Sequence, residues 1–472
     1  MQNLFQTEQN EALKAILEPI FNMWRLPVDS QKQYLMTARQ GSREFLLELY
    51  VTSACNQKCS YCYLTQHGDE LYPKEFRSEE QILKNLKLYL DYSIKQGFSY
   101  HRIDMFSGEI WHIPFGSKIL DVILEAIHNG LKIKDLVIPT NFSFCEKQST
   151  IENIEHYIKL FKDAGTRMCF SCSMDGLVID ALNRPFNNNR EKTIRYYSNI
   201  FAFCKAHEVG FHPMIAAENI EYQKENYDSW IAMMKSYCEH PDNIQSYFAR
   251  MMQLMVRNTG WTDDKIKGYL DWLNYVMEKD IEVFFKSDVD DFFKKLYSET
   301  EHWSNNYLPY KIMNGYFEYS CTLGSMLSVR LGDLAIVPCH RTSYDKFLLG
   351  KFVVENDQIV DIESNNVQMA SAIYLTNAIS KPHCNQCPIA EFCMKGCVGS
   401  QYETLNEPFC PIPDVCNLLK AQFLFLYLKH EKMGAFKKPE LQGLYSEMHQ
   451  VYRNLVMKEN CQKWISYIQS II

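Results

Sequence analysis

Three cysteines, Cys55, Cys59 and Cys62, form a C-x3-C-x2-C triplet directly after an apolar segment at residues 45–52. Three thiolates can hold three irons of a four-iron cubane cluster, which leaves the fourth iron open to a further ligand. A structural zinc site completed by a distant fourth ligand is the alternative, although zinc sites more often contain two C-x2-C pairs. The triplet therefore predicts a reactive iron-sulfur cluster.

The spacing of the triplet, with Tyr61 directly before the third cysteine, resembles the cluster loop of the radical SAM enzymes. The resemblance implies that S-adenosylmethionine chelates the open iron of a [4Fe-4S] cluster. An electron from the cluster then breaks the sulfonium bond and gives a 5'-deoxyadenosyl radical, which takes hydrogen from the substrate. The resemblance also implies that Tyr61 contacts the adenine, with packing beside the cluster as the alternative.

Short apolar strands that alternate with amphipathic helices would position the triplet. We predict strands at residues 45–52, 101–106, 136–140, 168–173, 211–216 and 246–256, and helix starts at Ser78 and Thr262. Such alternation predicts an α/β fold with a parallel sheet. The resemblance implies the partial (β/α)6 barrel of radical SAM proteins. Ligands bind at the carboxyl ends of the strands in such sheets, where the triplet lies.

The ends of strands two, three and four carry motifs that resemble the family's adenosylmethionine-binding turns. They contain Ser-Gly-Glu where the family has Gly-Gly-Glu, Thr-Asn-Phe for Thr-Asn-Gly, and Ser-x-Asp-Gly followed by D-x3-R. The resemblance implies contacts with the methionyl amine, the carboxylate and the ribose. An ordinary turn, a helix-start loop and a surface ion pair are the alternatives. The residues assigned to the cofactor in this way are Ser107, Gly108, Glu109, Asn141, Ser173 and Arg184.

A second group of cysteines lies in the C-terminal half and includes a run with the spacing C-x2-C-x5-C-x3-C. This run, together with an apolar hairpin that turns at Gly332-Asp333, resembles the SPASM domain. That domain is the auxiliary-cluster extension of radical SAM enzymes that act on peptides and proteins. A structural zinc ribbon is the alternative. The cysteines of the group are Cys321, Cys339, Cys384, Cys387, Cys393, Cys397, Cys410 and Cys416.

The resemblance implies two auxiliary iron-sulfur clusters, which we expect to be [4Fe-4S]. One would be held by Cys384, Cys387, Cys393 and Cys416, and the other by Cys321, Cys339 and Cys397. Cys410, a substrate thiolate and water are the alternatives for the missing ligand of the second cluster. We expect His340 to be a hydrogen-bonding neighbour. The other cysteines are expected to be buried apolar residues: Cys145, Cys169, Cys172, Cys204, Cys238 and Cys461.

Composition limits the function classes. The 472 residues include 49 Lys and Arg against 57 Asp and Glu, a net charge of -8 that gives no electrostatic reason to expect nucleic acid or an anionic membrane as partner. The chain has no long apolar run and no signal-peptide pattern at its start. Its 17 cysteines are better explained by metal binding than by disulfides. We therefore predict a cytoplasmic protein.

The expected organisation has five segments. These are a helical N-terminal extension at residues 1–43, a radical SAM partial barrel at 44–260, a helical linker at 261–315, a SPASM domain at 316–420 and a helical tail at 421–472. The linker is rich in aromatic residues, which we expect to pack between helices, with a substrate-facing wall as the alternative.

The two cysteine patterns together predict a radical SAM enzyme that forms a thioether or carbon-linked crosslink in a ribosomally made peptide. An anaerobic sulfatase maturase, which oxidises Cys or Ser to formylglycine, is the alternative. It needs an acidic base, which no motif assigns here; Asp104, Asp175 and Glu109 lie at or near predicted strand ends, so none of them is excluded. A non-catalytic iron-sulfur or zinc scaffold is a third hypothesis. The expected partners are a peptide or protein substrate, a separate leader-binding protein and a reductant such as flavodoxin or ferredoxin.

Overall fold

Strands and helices alternate along the chain from residue 45 onward in the computed structural model. It describes residues 45–76, 78–106, 108–185, 189–207, 209–211, 213–237, 253–254, 260–298, 307, 327–364, 384, 386–393, 396–407, 410–458 and 461–472. The predicted N-terminal helical extension lies outside the described residues, as does most of the predicted sixth strand. Ser107, Cys238 and Cys321 also lie outside them.

The strands carry the chain order of the predicted barrel. They are β1 (Phe45–Tyr50), β2 (Ser99–Phe106), β3 (Lys132–Thr140), β4 (Arg167–Cys172), β5 (Gly210–Phe211), β6 (Met214–Ile215), β7 (Gln253–Leu254), β8 (Leu327–Arg330), β9 (Ala335–Val337), β10 (Gly350–Glu355) and β11 (Gln358–Ser364). The predicted fifth strand is divided into β5 and β6. Pro213, which has no N–H to donate to a neighbouring strand, stands between them.

The chain forms two compact units, which we describe separately. The first contains Met1–Lys58, Cys62–Cys172 and Cys321–Ser380, and the second contains Cys59–Tyr61, Ser173–Ser320 and Lys381–Ile472. These units group the residues differently from the five predicted segments, so the division into domains stays a prediction. No helix within the described ranges is long and apolar enough to cross a membrane.

The first unit is built on a sheet with the strand order β11-β10-β9-β8-β1-β2-β3-β4. β1 to β4 are parallel neighbours, as predicted, and β8 also pairs in parallel with β1. β8 and β9 form the predicted antiparallel hairpin around Gly332-Asp333, and β10 and β11 extend it. The hairpin thus continues the sheet that carries the cysteine triplet.

The two faces of this sheet differ because successive side chains of a strand point in opposite directions. Leu47 and Leu49 on β1 lie opposite Ile103 and Met105 on β2, and all four are fully buried. The intervening positions are polar: Glu48 lies opposite Asp104 on one side and Ser328 on the other. One face therefore forms apolar core, and the other carries charged groups.

The helices begin and end largely where sequence signals indicate. They are α1 (Tyr63–Leu71), α2 (Glu79–Lys95), α3 (Gly116–His128), α4 (Gln148–Asp163), α5 (Leu177–Asn183), α6 (Arg190–Ala206), α7 (Gln223–Tyr237), α8 (Asp263–Phe284), α9 (Val289–Ser298), α10 (Val398–Leu405), α11 (Pro413–Lys432), α12 (Gln442–Lys458) and α13 (Gln462–Ile471). The two predicted N-caps are confirmed. Ser78 Oγ accepts from Gln81 N at 3.2 Å, and Thr262 Oγ1 accepts from Lys265 N at 3.4 Å.

The second unit has an aromatic core around α8. Tyr269 and Trp272 are fully buried, with ring centroids 5.7 Å apart. Asp280, also on α8 and buried, accepts hydrogen bonds from the hydroxyls of Tyr227 and Tyr307. The buried aromatic residues of α8 therefore pack in the core of this unit, as we predicted for the aromatic residues of the linker.

Candidate metal and cofactor sites

The cysteine triplet lies on the loop between β1 and α1. Cys55 is exposed, whereas Cys59 and Cys62 are half-buried. Cys62 is the N-cap residue of α1, where the helix dipole favours negative charge. The loop thus presents thiols that solvent can reach, one of them at the start of a helix.

The turn after β2 is joined to the cysteine loop through its backbone. Gly108 N donates to Thr52 O and Glu109 N to Ala54 O, each at 2.8 Å. A Cβ on Gly108 would lie 2.1 Å from Ala54 O, closer than any real contact allows. Glycine is therefore required here for the close approach of two backbones. This is the position where the sequence resemblance places a glycine of the cofactor-binding turn.

Glu109 connects this turn to the end of β3. Its side chain is fully buried, and its carboxylate accepts from Thr140 Oγ1 at 3.0 Å and from Asn141 N at 2.8 Å. A buried carboxylate with such donors is well stabilised. The contact of Glu109 with the methionyl amine stays a prediction.

The end of β3 has a left-handed backbone at the position where the resembling motif has a glycine. Phe142, which stands at that position, has φ = 59°, in the left-handed region. Its ring is fully buried, and its N–H is bonded to Thr140 Oγ1 at 3.1 Å. A residue with a large side chain adopts this left-handed backbone conformation only when its surroundings enforce it, and here the packing around the buried ring does so.

In the second unit, Asp175 joins the turn after β4 to Tyr61. Its carboxylate accepts from the Tyr61 hydroxyl and, at 2.8 Å, from Met214 N. Burial raises the pKa of Asp175, while the nearby Arg184 guanidinium opposes the rise. Burial likewise raises the pKa of Asp180 to about 7, again against Arg184. The Tyr61 hydroxyl, which the resemblance places near adenine, is thus held by a carboxylate.

Arg184 lies between these two carboxylates and retains hydrogen-bonding capacity. Its side chain is 5% exposed, with Nη1 3.8 Å from Asp175 Oδ1 and 4.0 Å from Asp180 Oδ1. Nε and Nη1 have no hydrogen-bond partner within the described part of the chain. A buried guanidinium with unused N–H groups suits a carboxylate ligand. Ser173, the other residue assigned to that role, is half-buried after β4.

The C-terminal cysteine run surrounds a cavity of about 310 Å³ in the second unit. Cys410 and Cys339 are not among the described residues that line it; Cys339 lies in the first unit, 3.4 Å from Thr342 Oγ1. Cys397 is the N-cap residue of α10, and Cys416 lies in the first turn of α11. The cysteines that line the cavity are Cys384, Cys387, Cys393, Cys397 and Cys416.

The described cysteines are not grouped as the ligands of a single metal ion would be. Among the described residues, no three His, Cys, Asp or Glu side chains are grouped closely enough to hold one ion. A four-iron cluster is larger and is bound by cysteines on different irons, so its ligands are more widely spaced. The cavity lined by the C-terminal cysteines provides such space.

The structure adds two polar residues that the sequence interpretation did not single out. Glu48 accepts from His340 N and pairs with His340 Nδ1, both at 3.0 Å, while the His340 ring stacks on Phe106. Burial tends to raise the pKa of Glu48, but the bonds from His340 and Ser328 leave it lowered. Asn56 contacts Asn141. Glu48 could have been found from the sequence, because it is a charged residue within an apolar strand. No sequence signal distinguished Asn56.

Of the remaining cysteines, five are described by the structure, and the expectation is confirmed for four of them. Cys145, Cys172, Cys204 and Cys461 are buried. Cys169 is half-buried, so its prediction as a buried apolar residue is wrong. The positions on either side of Cys169 in β4 face the core, so Cys169 itself lies on the polar face of the sheet. Arg167 lies on the same face and forms an ion pair with Asp135, with Nε 2.8 Å from Oδ1.

Comparisons with known proteins identify the fold. No protein-family model and no curated protein matches the sequence. Native anSMEcpe with bound AdoMet and Cp18Cys peptide is similar, with a TM-score of 0.50 and 15% identity over 83% of this chain and 99% of that chain. Streptococcus suis SuiB bound to the precursor peptide SuiA has a TM-score of 0.42 and 13% identity, over 82% and 79%. Both are radical SAM enzymes of SPASM type. The likeness to anSMEcpe confirms the predicted fold class.

Proposed function

We propose that the protein is a radical SAM enzyme that modifies a peptide or protein substrate. The observation that carries this proposal is the backbone junction between the cysteine triplet loop and the Gly108 turn. It lies at the carboxyl ends of β1 and β2, where ligands of parallel sheets bind. A non-catalytic scaffold would not need a glycine-dependent close approach beside an incomplete set of thiolates.

In this proposal the chain's residues bind and orient the reactants. Cys55, Cys59 and Cys62 hold three irons, and Arg184 offers its unused N–H groups to the cofactor's carboxylate. When bound, the reduced cluster and S-adenosylmethionine supply a 5'-deoxyadenosyl radical that abstracts hydrogen from the substrate. Tyr61, held by Asp175, is fixed for contact with the adenine ring.

The substrate we propose is a ribosomally made peptide in which a thioether or carbon-linked crosslink forms. The five cysteines that line one cavity support an auxiliary cluster, and the likeness to a structure with a bound peptide supports a polypeptide substrate. Crosslinking removes two hydrogen atoms: one leaves in 5'-deoxyadenosine, and the other leaves as a proton and an electron. The electron requires an acceptor, which is the role we assign to the auxiliary clusters.

A sulfatase maturase is the second candidate, favoured by the same likeness in fold. That reaction needs a carboxylate base, and each candidate already has a partner. Glu109 is bonded to Thr140 and Asn141, and Asp175 to Tyr61. Asp104 is 2.7 Å from Arg102 Nε, and burial raises its pKa. We therefore rank peptide crosslinking first.

We propose [4Fe-4S] for the auxiliary clusters, flavodoxin or ferredoxin as reductant, and a separate protein for leader binding. A cytoplasmic location, with neither nucleic acid nor membrane as partner, stays a prediction from composition.

The substrate test uses two synthetic peptides: one encoded by a short reading frame beside this gene, and one that spans the modified Cys or Ser of a sulfatase. We expect the reconstituted protein to remove two hydrogen atoms from the first peptide, as measured by mass spectrometry. Deuterium at the attacked carbon should appear in 5'-deoxyadenosine. If an aldehyde formed on the sulfatase peptide instead, the ranking of the two functions would be reversed. If no peptide lost mass or deuterium, a peptide substrate would be contradicted.

A further inference from the structure

A side-chain amide lies against the first cysteine of the triplet. Asn141 Nδ2 is 3.6 Å from Cys55 Sγ, and Gln57 N is 3.4 Å from the same sulfur. Sulfur is a weak acceptor of large radius, so N–H contacts with it are longer than those with oxygen. The strand-end motif assigns Asn141 to the cofactor, but its side-chain amide contacts Cys55, the first cysteine of the triplet.

The surrounding bonds fix which end of the Asn141 amide faces the sulfur. Oδ1 accepts from Ser143 N at 2.9 Å, and Nδ2 donates to Asn56 Oδ1 at 2.9 Å. Asn56 is itself held because its Nδ2 donates to Ser143 Oγ at 2.7 Å. A flipped amide would place an N–H group against the Ser143 N–H, so the network determines the orientation. The second N–H of Nδ2 is therefore available to Cys55.

We propose that Asn141 is a positioning residue that acts through Cys55 and raises the reduction potential of the cluster on the triplet. This inference rests on the proposed function, because it requires a cluster there. One-electron reduction adds negative charge that is shared between iron and sulfur. An N–H donor to the sulfur stabilises the reduced state more than the oxidised state, so reduction becomes easier.

The test is an anaerobic redox titration of the reconstituted full chain, monitored by the electron paramagnetic resonance signal that changes when S-adenosylmethionine is added. In Asn141→Ala we expect the ratio of reduced to oxidised cluster at a fixed potential to fall about tenfold, a shift of about 59 mV for one electron. Asn153→Ala is the matched control. Asn153 is exposed on α4 and donates to Ser117 Oγ, so the potential should not change.

A second variant covers failure of the first to load iron. Asn141→Asp keeps the shape and the oxygen that accepts from Ser143 N, but it removes the donor and adds a negative charge beside the cluster. Both changes disfavour reduction, so the potential should fall by more than in Asn141→Ala. An unchanged potential in either variant with wild-type iron content overturns the inference alone. A wild-type protein that carries iron but shows no signal responsive to S-adenosylmethionine overturns the proposed function, and the inference with it.

Discussion

Single residues determine whether the cysteine loop and the β2 turn can meet. Gly108 is held between Thr52 O and Ala54 O, and nothing larger than hydrogen fits on its Cα. The Glu109 carboxylate then ties the same turn to the end of β3. The site is therefore sensitive to the addition of a single methyl group.

We predict that Gly108→Ala lowers the free energy of unfolding by about 2 kcal/mol, because the new Cβ forces two backbone segments apart. The variant should also bind less iron per chain. Gly443→Ala is the matched control: Gly443 lies at the start of α12 with open space around its Cα, so alanine there should not lower the free energy of unfolding. Urea denaturation and iron analysis measure both effects. Equal stability of the two variants would contradict the required close approach.

Sequence reasoning singled out these residues but not their contacts. The triplet, Glu109 and Asn141 were identified because their types and spacing follow motifs. The bonds of Asn141 to Asn56 and Cys55 depend on how two loops meet at the edge of the sheet. Such contacts join residues far apart in sequence, and no local pattern specifies them.

At the scale of elements, helix α8 carries a buried titratable group in its core face. Asp280 accepts from two tyrosine hydroxyls, and burial raises its pKa to about 8. In the unfolded chain an aspartate has a pKa of about 3.9. Between these values the folded state holds a proton that the unfolded state has released. Stability therefore falls as pH rises through this range.

We predict that Asp280→Asn removes this contribution to the pH dependence. The wild type should lose up to about 1.4 kcal/mol per pH unit from this group between about pH 5 and 7.5, and the variant should lose correspondingly less. Urea denaturation at several pH values measures the difference. Asp264→Asn, at a position on α8 that is 92% exposed, should behave as the wild type. Parallel stability curves for wild type and Asp280→Asn would contradict a protonated Asp280.

The elements themselves were largely predictable, and their long-range pairing was not. Alternating apolar strands and the caps at Ser78 and Thr262 gave the parallel sheet and the starts of α2 and α8. The hairpin of β8 and β9 was also predicted from Gly332-Asp333. Its pairing with β1 was missed, because a short apolar strand carries no information about which sheet edge it joins.

At the scale of the whole molecule, the two compact units carry different parts of the proposed chemistry. The first has Cys55, the Gly108 turn and the end of β3, and the second has Tyr61, Arg184 and the cysteine-lined cavity. The cysteine patterns indicated both parts from sequence alone.

The central claim is tested most directly by formation of 5'-deoxyadenosine. The protein is reconstituted anaerobically with iron and sulfide, reduced with dithionite and given S-adenosylmethionine. We predict that the wild type forms 5'-deoxyadenosine, and that a Cys55→Ala, Cys59→Ala and Cys62→Ala triple variant forms none while it keeps the iron of the C-terminal cysteines. Absence of 5'-deoxyadenosine from a wild-type preparation with its full iron complement would contradict the account.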